Sequence, residues 1–339
     1  MFLTLSVCAL GAEAFLLLHL PLPWLLGPII VATILSRIER FSFKQPKVLV
    51  NPIRTILGVT IGSAFTPAIA TGMVTYISSL VFILPFIGLI GVVGVWYFWK
   101  IAKYDKMTAY FSAMPGGLVE MTTIGDEMVA NVARVTLTQS TRLFLIVFTL
   151  PFIIEWISHV DLGGRGSITP PLNTLSLHDI IGMILLGSLG AWGALRLKVS
   201  GAYIIGPMVL SAVVYLSGFI ESRPPDEALK LAQLVIGSSI GFVFHGISKQ
   251  EVFRTLLHTV GYFLILCLLC LFFVSLVHFL FDFPLLSVLL AYSPGGQAEM
   301  NLIAIILAVN VPFVALHHVL RLFLVMSIAP LFGKWFKKH

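Results

Sequence analysis

The stretch Met114-Pro115-Gly116-Gly117-Leu118-Val119-Glu120-Met121 occurs again, with changes, as Ser293-Pro294-Gly295-Gly296-Gln297-Ala298-Glu299-Met300. Both copies interrupt hydrophobic sequence with a Pro-Gly-Gly break and place a carboxylate three residues after it. A broken backbone and a buried charge are both costly inside a membrane, so they persist mainly where they line a cavity or a pathway. The doubled stretch therefore predicts a functional site. Tight packing or kinking of helices is the structural alternative.

The composition around these stretches is that of a membrane protein. Hydrophobic residues make up 58% of the 339 positions and charged residues 11%, and the mean hydropathy is +1.01. A soluble globular protein does not have this composition, so we expect an all-α polytopic membrane protein whose partner is the lipid bilayer. Apolar runs close to the ~20 residues that span a bilayer lie at about 2–19, 72–99, 177–195, 201–220, 252–280 and 311–333.

The chain aligns with itself, without a gap, at an offset of 179 residues. Chance does not supply six matches at one offset, so the sequence predicts two repeats, 1–160 and 177–339, joined by a Gly-, Pro- and Ser-rich linker at 161–176. Within them, small-residue faces predict close helix packing. The matches are the Pro-Gly-Gly stretches, Leu10-Gly11-Ala12 with Leu189-Gly190-Ala191, Gly27-Pro28 with Gly206-Pro207, Gly58 and Gly62 with Gly237 and Gly241, Arg142-Leu143-Phe144-Leu145 with Arg321-Leu322-Phe323-Leu324, and Pro151 with Pro330.

The basic residues indicate topology. They are spread over short loops and form no contiguous basic domain, so the net charge of +6 predicts no nucleic-acid partner. In the first half the loops at 37–54, which contains Arg40, and 100–106 are basic, whereas their counterparts at 221–227 and 278–283 are mainly acidic. Short cytoplasmic loops accumulate Lys and Arg, so this reversal predicts inverted-topology repeats with both termini cytoplasmic. The basic residues of the second half are Arg196, Lys198, Lys249, Arg254, Lys334, Lys337 and Lys338.

Such an inversion needs an odd number of crossings in each repeat. Ten crossings, about five per repeat, meet this condition if each Pro-Gly-Gly segment is a re-entrant pair of half-helices. A broken helix that crosses the bilayer fully is the alternative.

Helices are predicted at 118–131 and 297–308, so the glycines lie at or just before a helix N-terminus. Free amides and the positive end of the helix dipole attract anions or carbonyl oxygens there. Two such ends, one from each inverted repeat, would approach one another near the membrane midplane. Gln297, which has no polar counterpart in the first copy, is the side chain that we expect first at the substrate.

The two glutamates lie one turn into these helices. An ionised carboxylate in hydrocarbon is unfavourable unless it is paired or hydrated. Glu120 and Glu299 are therefore expected to face a cavity, or to bind a proton or a cation. A salt bridge to the arginine of the same repeat, Arg142 or Arg321, is the alternative.

Arg142 and Arg321 lie inside the last helix of each repeat. Arg142 shares a helical face with Gln139, and Arg321 shares one with His317 and His318. A guanidinium facing a half-helix N-terminus can clamp a carboxylate, whereas snorkelling to an interface is an equal alternative. The candidate substrate-binding residues are Pro115, Gly116, Gly117, Glu120, Arg142, Pro294, Gly295, Gly296, Gln297, Glu299, His318 and Arg321.

No metal site and no cofactor is predicted. His317-His318 is the only histidine pair, and adjacent residues diverge by about 100° on a helix. No His-x-x-x-His or Glu-x-x-His pattern surrounds the pair, which favours hydrogen bonding or protonation. Cys267-Leu-Leu-Cys270 has the spacing of a redox motif but lies in an unbroken apolar helix, so we interpret these cysteines as helix-packing residues.

These residues resemble the AbrB family of bacterial membrane proteins, whose repeated unit is the AbrB duplication domain. The resemblance rests on the two Pro-Gly-Gly-x-x-Glu-Met stretches, the two Gly-Pro stretches and the paired Arg-Leu-Phe-Leu, and it covers nearly the whole chain. It implies a multi-pass protein of the bacterial inner membrane, in a family described as ammonia monooxygenase or as a regulator of gene expression. The general layout is also similar to inverted-repeat carriers, which is an analogy at the level of the fold.

Three functions follow as hypotheses. The first is a secondary transporter of a small anionic or zwitterionic solute, coupled to protons or sodium through Glu120 and Glu299. The second is a membrane regulatory or sensing protein, which would act on gene expression indirectly because no DNA-binding domain is left outside the membrane. The third, a monooxygenase, is disfavoured because copper or iron chemistry needs a ligand cluster that the sequence does not supply, so we expect no enzyme. The sequence leaves open whether the protein forms a homodimer.

Overall fold

The computed structural model describes residues 1–37, 43–70, 72–159, 162, 169–244 and 249–338. Within these ranges every regular element is a helix and there is no β-strand. Arg40 and residues 161 and 163–168 of the linker lie outside the described residues, as do the side chains of Lys249, Lys334, Lys337 and Lys338. The α-helices are α1 (Phe2–Leu17), α2 (Pro23–Leu35), α3 (Lys47–Gly62), α4 (Pro67–Ala70), α5 (Tyr76–Leu80), α6 (Ile83–Trp96), α7 (Lys106–Ala113), α8 (Leu118–Glu127), α9 (Val132–Ser158), α10 (Leu177–Arg196), α11 (Ala202–Leu216), α12 (Asp226–Gly241), α13 (Lys249–Phe281), α14 (Leu285–Tyr292), α15 (Gln297–Ile306) and α16 (Val311–Lys338).

Five helical segments in the described residues are long and apolar enough to cross a bilayer. The all-α prediction is thereby confirmed for these ranges, and the long apolar helices fit the predicted membrane protein. α1, α2, α11 and α15 are apolar but shorter, so the predicted number of ten crossings stays a prediction. The five segments are Met73–Ile101, Val132–Ser158, Leu177–Arg196, Phe253–Phe281 and Val311–Gly333.

Two segments predicted as basic loops are partly helical. α3 begins at Lys47, which places Arg54 two turns inside this helix. α13 begins at Lys249 and therefore includes Arg254. Lys and Arg are good helix formers, so a helix can include basic residues next to its apolar part.

The chain forms two compact units, each built from three separate segments. The first compact unit contains Met1–Val74, Phe148–His245 and Ala298–Pro312. The second contains Thr75–Val147, Gly246–Gln297 and Phe313–His339. Each unit therefore combines segments from both predicted repeats.

Glycine faces hold the first compact unit together. A Cβ on Gly58 would lie 2.5 Å from the carbonyl oxygen of Ile204, so α3 packs backbone to backbone on α11. In the same way, a Cβ on Gly237 would lie 2.5 Å from the carbonyl oxygen of Leu25, where α12 packs on α2. These contacts confirm the close helix packing predicted from the small-residue faces.

We expect the substitution Gly58→Ala to lower the free energy of unfolding by about 1–3 kcal/mol, because the added methyl group overpacks the contact between α3 and α11. The measurement is unfolding of the purified protein in detergent, by heat or by denaturant. Gly193→Ala in α10 is the matched control, because a Cβ at Gly193 meets no atom within 4 Å. Equal stability of the two variants would contradict the close contact at Gly58.

The second compact unit is built around buried aromatic rings. Tyr262 and Tyr292 are both fully buried. Phe86 makes edge-to-face contacts with Phe273 and Tyr292, at centroid distances of 5.2 Å and 5.3 Å. The hydroxyl of Tyr262, which has one proton to donate, lies 3.3 Å from the carbonyl oxygens of both Ile90 and Ala113. Because Ala113 is the last residue of α7, Tyr262 connects the aromatic core to the first Pro-Gly-Gly break.

Candidate functional site

Each Pro-Gly-Gly stretch separates two short helices. α7 ends at Ala113 and α8 begins at Leu118, while α14 ends at Tyr292 and α15 begins at Gln297. Proline lacks an amide proton and glycine supplies no side-chain packing, so neither continues the helix well. The predicted helix starts at 118 and 297 are confirmed.

The same two helices end earlier than predicted. α8 ends at Glu127 and α15 at Ile306, instead of at 131 and 308. Val129 and Ala308 have φ angles of 64° and 53°, in the left-handed region that terminates helices. These two residues are also related by the offset of 179, so both copies stop their half-helix in the same way.

Arg142 in α9 holds the carbonyl end of α7. Its guanidinium donates to the carbonyl oxygen of Met114 at 3.2 Å and to Oε1 of Gln139 at 2.6 Å. The amide of Gln139 in turn donates to the carbonyl oxygens of Phe111 at 2.7 Å and Met114 at 2.9 Å. The last carbonyls of a helix have no partner within the helix and carry partial negative charge, so a buried cation is favourable at this position.

Arg321 in α16 does the same for α14. Its guanidinium donates to the carbonyl oxygens of Ser293 at 2.6 Å and Gly295 at 2.5 Å, and to Nδ1 of His318 at 2.8 Å. Arginine has only donors, so Nδ1 of His318 accepts and the proton of the neutral ring lies on Nε2. Nε2 then donates to the carbonyl oxygen of Leu290 at 3.0 Å.

The two arrangements correspond residue by residue at the offset of 179. The pair Arg142 and Gln139 matches Arg321 and His318, and both pairs bind carbonyls at the end of the helix before the break. Both arginines are 5% exposed, so the alternative that they snorkel to an interface is wrong. These arginines thus cap the helix C-termini at the breaks, which is a structural role that the sequence did not predict.

One donor of Arg142 is left over. In the described part of the chain, Nε of Arg142 is buried and has no hydrogen-bond partner. A buried donor without an acceptor costs about 1–3 kcal/mol, so such a group favours the arrival of an acceptor oxygen. This N–H combines burial, positive charge and unused hydrogen-bonding capacity.

The glutamates lie where the sequence placed them, in the first turn of each half-helix. Glu120 belongs to the second compact unit, and its carboxylate folds back to contact Gly117, the residue that caps α8. A carboxylate three residues after the cap stabilises the N-terminus of a helix. Glu299 belongs to the first compact unit and is 8% exposed. The positive charge of Arg54 acts on its carboxylate more weakly than burial does.

Comparison with known proteins identifies the family. A family model described as "Transition state regulatory protein AbrB" matches residues 24–337 of the chain. The chain belongs to the AbrB family. It is 25% identical to "Uncharacterized protein YhjN" of Bacillus subtilis (strain 168), with 97% of this chain and 91% of that protein covered. It is also 25% identical to "Putative regulator AbrB" of Escherichia coli (strain K12), with 96% and 93% covered. No solved structure matches.

The structure of this AbrB family member also contains a polar network that the sequence did not predict. The hydroxyl of Ser79 lies 2.8 Å from Nε2 of His317, and the hydroxyl of Tyr292 donates to the carbonyl oxygen of Ser79 at 2.6 Å. Nδ1 of His317 donates to the carbonyl oxygen of Phe313 at 2.7 Å. All of these groups belong to the second compact unit. Ser79 lies in an apolar run, and its sequence context gives no signal of a histidine partner.

The other predicted site residues lie in the loops at the breaks. Pro115 and Gly116 lie between α7 and α8, and Gly116 packs against the side chain of Met121. Pro294, Gly295 and Gly296 lie between α14 and α15, and the half-buried Gln297 begins α15. Within the described ranges, no group of three or more His, Cys, Asp or Glu side chains is arranged to hold a metal ion.

The correspondence between His318 and Gln139 gives a direct prediction. In the AbrB family member, His318→Gln should fold almost as well as the parent, because the amide oxygen can accept from Arg321 and the amide nitrogen can donate to Leu290. His318→Leu removes both functions, so we expect a loss of about 1–3 kcal/mol in the free energy of unfolding. Thermal unfolding of the two variants in detergent is the measurement. Equal stability of both variants would contradict the assigned bonds.

Proposed function

We propose that this AbrB family member is a secondary transporter of a small anionic or zwitterionic solute. The observation that supports the proposal most is the doubled arrangement of a buried arginine at a glycine-broken helix, together with the unused Nε–H of Arg142. Helix breaks at membrane depth are tolerated where they line a cavity or a site. A cationic donor beside such a break suits a carboxylate or another oxyanion.

The proposed architecture is a pair of inverted-topology repeats with ten crossings and re-entrant Pro-Gly-Gly segments. It is supported by the reversal of loop charge between the two halves and by hydrogen bonds that repeat at the offset of 179. In this arrangement the protein lies in the inner membrane with both termini in the cytoplasm. The N-termini of α8 and α15 would supply amides for the solute.

The proposed coupling groups are Glu120 and Glu299. Each lies in the first turn of a half-helix, and Glu299 is buried at 8% exposure. A buried carboxylate that binds a proton or a sodium ion has a lower free energy than one that stays charged and unpaired. Movement of the solute would then be linked to movement of the ion.

The experiment is uptake into proteoliposomes that contain the purified full-length protein. Carboxylates, amino acids and ammonium are screened, each with an imposed proton gradient, a sodium gradient or neither. The proposal expects at least one solute to accumulate only when a gradient is present. Protein-free liposomes and Arg142→Gln protein serve as controls. If no solute of these classes moves, the transport proposal fails.

A sensing protein is the second candidate, because the family description contains the word regulatory and the name of one relative contains the word regulator. Such a protein would bind the solute at the same breaks without moving it. A solute that raises the unfolding temperature but is never accumulated would favour sensing over transport. Stoichiometric copper or iron in the purified protein would instead favour an oxygenase and count against both candidates.

A further inference from the structure

We propose that the second compact unit binds one anionic phospholipid in a groove along α6. The groove has a volume of about 680 Å³ and an apolar lining that includes Gly88, Val92, Trp96, Tyr110, Met114 and Phe332. α6 forms one wall, and Phe332 and Ile328 of α16 form part of another. The proposal does not depend on transport or on any solute.

The dimensions of the groove suit an acyl chain. It runs along α6 and the turn that follows it, from Leu84 to Trp99, which corresponds to about 22 Å at the rise of an α-helix. Half of the hydrocarbon core of a bilayer is about 15 Å thick, so the groove can hold the tail of a lipid through one leaflet. Trp96 and Trp99 are 54% and 39% exposed, and exposed tryptophans are typical of the membrane–water interface.

The positive charge at the tryptophan end of the groove indicates which lipid headgroup binds there. Nζ of Lys100 lies 3.6 Å from the ring centroid of Trp99, and Nζ of Lys106 lies 5.7 Å from the same centroid. Asp105, the acidic residue of this loop, accepts a hydrogen bond from the amide of Thr108. Two cations at the ring of Trp99, one of which, Lys106, lines the groove, complement a phosphate, so we infer an anionic headgroup at Trp99 and Lys106.

The backbone at the tryptophan end of the groove departs from α-helical geometry, which supports a lipid-binding site there. Residues Tyr97–Ile101 form a π-helical turn directly after α6. Such turns insert a residue into the helix and frequently occur at functional sites. Here the π-helical turn contains both Trp99 and Lys100, whose side chains stack on one another.

The deep part of the groove reaches the first Pro-Gly-Gly break. Met114 lines the groove, its side chain packs against Gly91, and its carbonyl oxygen is the one that accepts from Arg142 and Gln139. A lipid tail in the groove would therefore touch the residue that Arg142 holds. Through this contact, the bound lipid could affect the conformation of the first Pro-Gly-Gly break.

The test measures lipid binding to the purified full-length protein in detergent, by native mass spectrometry and by thermal unfolding. Dioleoyl phosphatidylglycerol and dioleoyl phosphatidylcholine are compared because their tails are identical. We expect tighter binding of phosphatidylglycerol. Removing one charge, by Lys100→Gln or Lys106→Gln, should lower its affinity about fivefold, while the affinity for phosphatidylcholine stays unchanged. Lys47→Gln is the matched control, since Lys47, like Lys106, is the first residue of a helix.

A second variant tests the groove itself. Gly88 lines the groove and a Cβ at this position meets no atom within 4 Å, so we expect Gly88→Leu to extend into the groove and to leave the fold unchanged. It should lower the affinity for both lipids at least about fivefold. Gly193→Leu, at a helical glycine with equal free space, should leave both affinities unchanged. Unaltered lipid binding by Gly88→Leu would overturn the proposal. An equal loss of phosphatidylglycerol affinity in Lys47→Gln and Lys106→Gln would also overturn it, because it would show that surface charge in general attracts the lipid.

Discussion

Arg321→Leu is expected to lose several kcal/mol of stability or to fail to fold. The substitution removes the donors for the carbonyl oxygens of Ser293 and Gly295 and for Nδ1 of His318. Each buried acceptor left without a donor costs about 1–3 kcal/mol. Because three acceptors are affected together, the loss should exceed that of any single surface substitution.

The measurement is the unfolding temperature in detergent, combined with the yield of monodisperse protein. Arg196→Leu is the control, because Arg196 lies at the end of α10, is exposed and stacks on Trp192, so its loss should change the unfolding temperature only slightly. Arg321→Lys should be intermediate, since one ammonium cannot reproduce a planar fork that reaches three acceptors. If Arg321→Leu instead unfolds like the parent protein while solute binding is lost, Arg321 binds solute and does not cap α14.

Glu299→Gln is expected to abolish ion coupling while the protein stays folded. The amide has the size of the carboxyl group and keeps one acceptor oxygen, but it cannot carry a charge or take up a proton. A coupling free energy of about 1–3 kcal/mol between two sites corresponds to a change of about 5- to 150-fold. Gradient-driven uptake should therefore fall at least about fivefold, while exchange of solute without a gradient continues.

The comparison uses proteoliposomes with the parent protein, Glu299→Gln and Glu13→Gln. Glu13 in α1 is exposed, so its replacement should leave uptake unchanged. Loss of folding in Glu299→Gln would mean that the carboxylate is a structural partner of Arg54, which interacts with it in the first compact unit. Full coupling in a folded Glu299→Gln protein would remove Glu299 from the mechanism.

Much of the fold could be predicted because local chemistry determines it. Pro-Gly-Gly stops a helix in any surroundings, so the helix starts at Leu118 and Gln297 were predictable. The glycine faces at Gly58 and Gly237 were predictable as packing surfaces, because a spacing of three or four residues puts them on one side of a helix. The positions at which the half-helices end were not predictable, because valine and alanine, the residue types at Val129 and Ala308, seldom adopt the left-handed conformation.

The partners at the site depend on contacts between segments that are distant in the sequence. Arg142 is 28 residues from Met114, and Ser79 is 238 residues from His317. The sequence showed that Gln139 and Arg142 share a helical face, but not that this face meets the last carbonyls of α7. The offset of 179 did contain this information for one copy once the other was known, since the hydrogen bonds of Arg321 repeat those of Arg142.

The glycine contacts between α3 and α11, and between α12 and α2, are reciprocal. At the offset of 179 residues, α12 aligns with α3 and α11 aligns with α2, so each half of the chain covers the glycine face of the other half. Reciprocal contacts of this kind are those that two identical subunits make across a two-fold axis. Between separate subunits such contacts depend on protein concentration, whereas here they are internal to a single chain and do not.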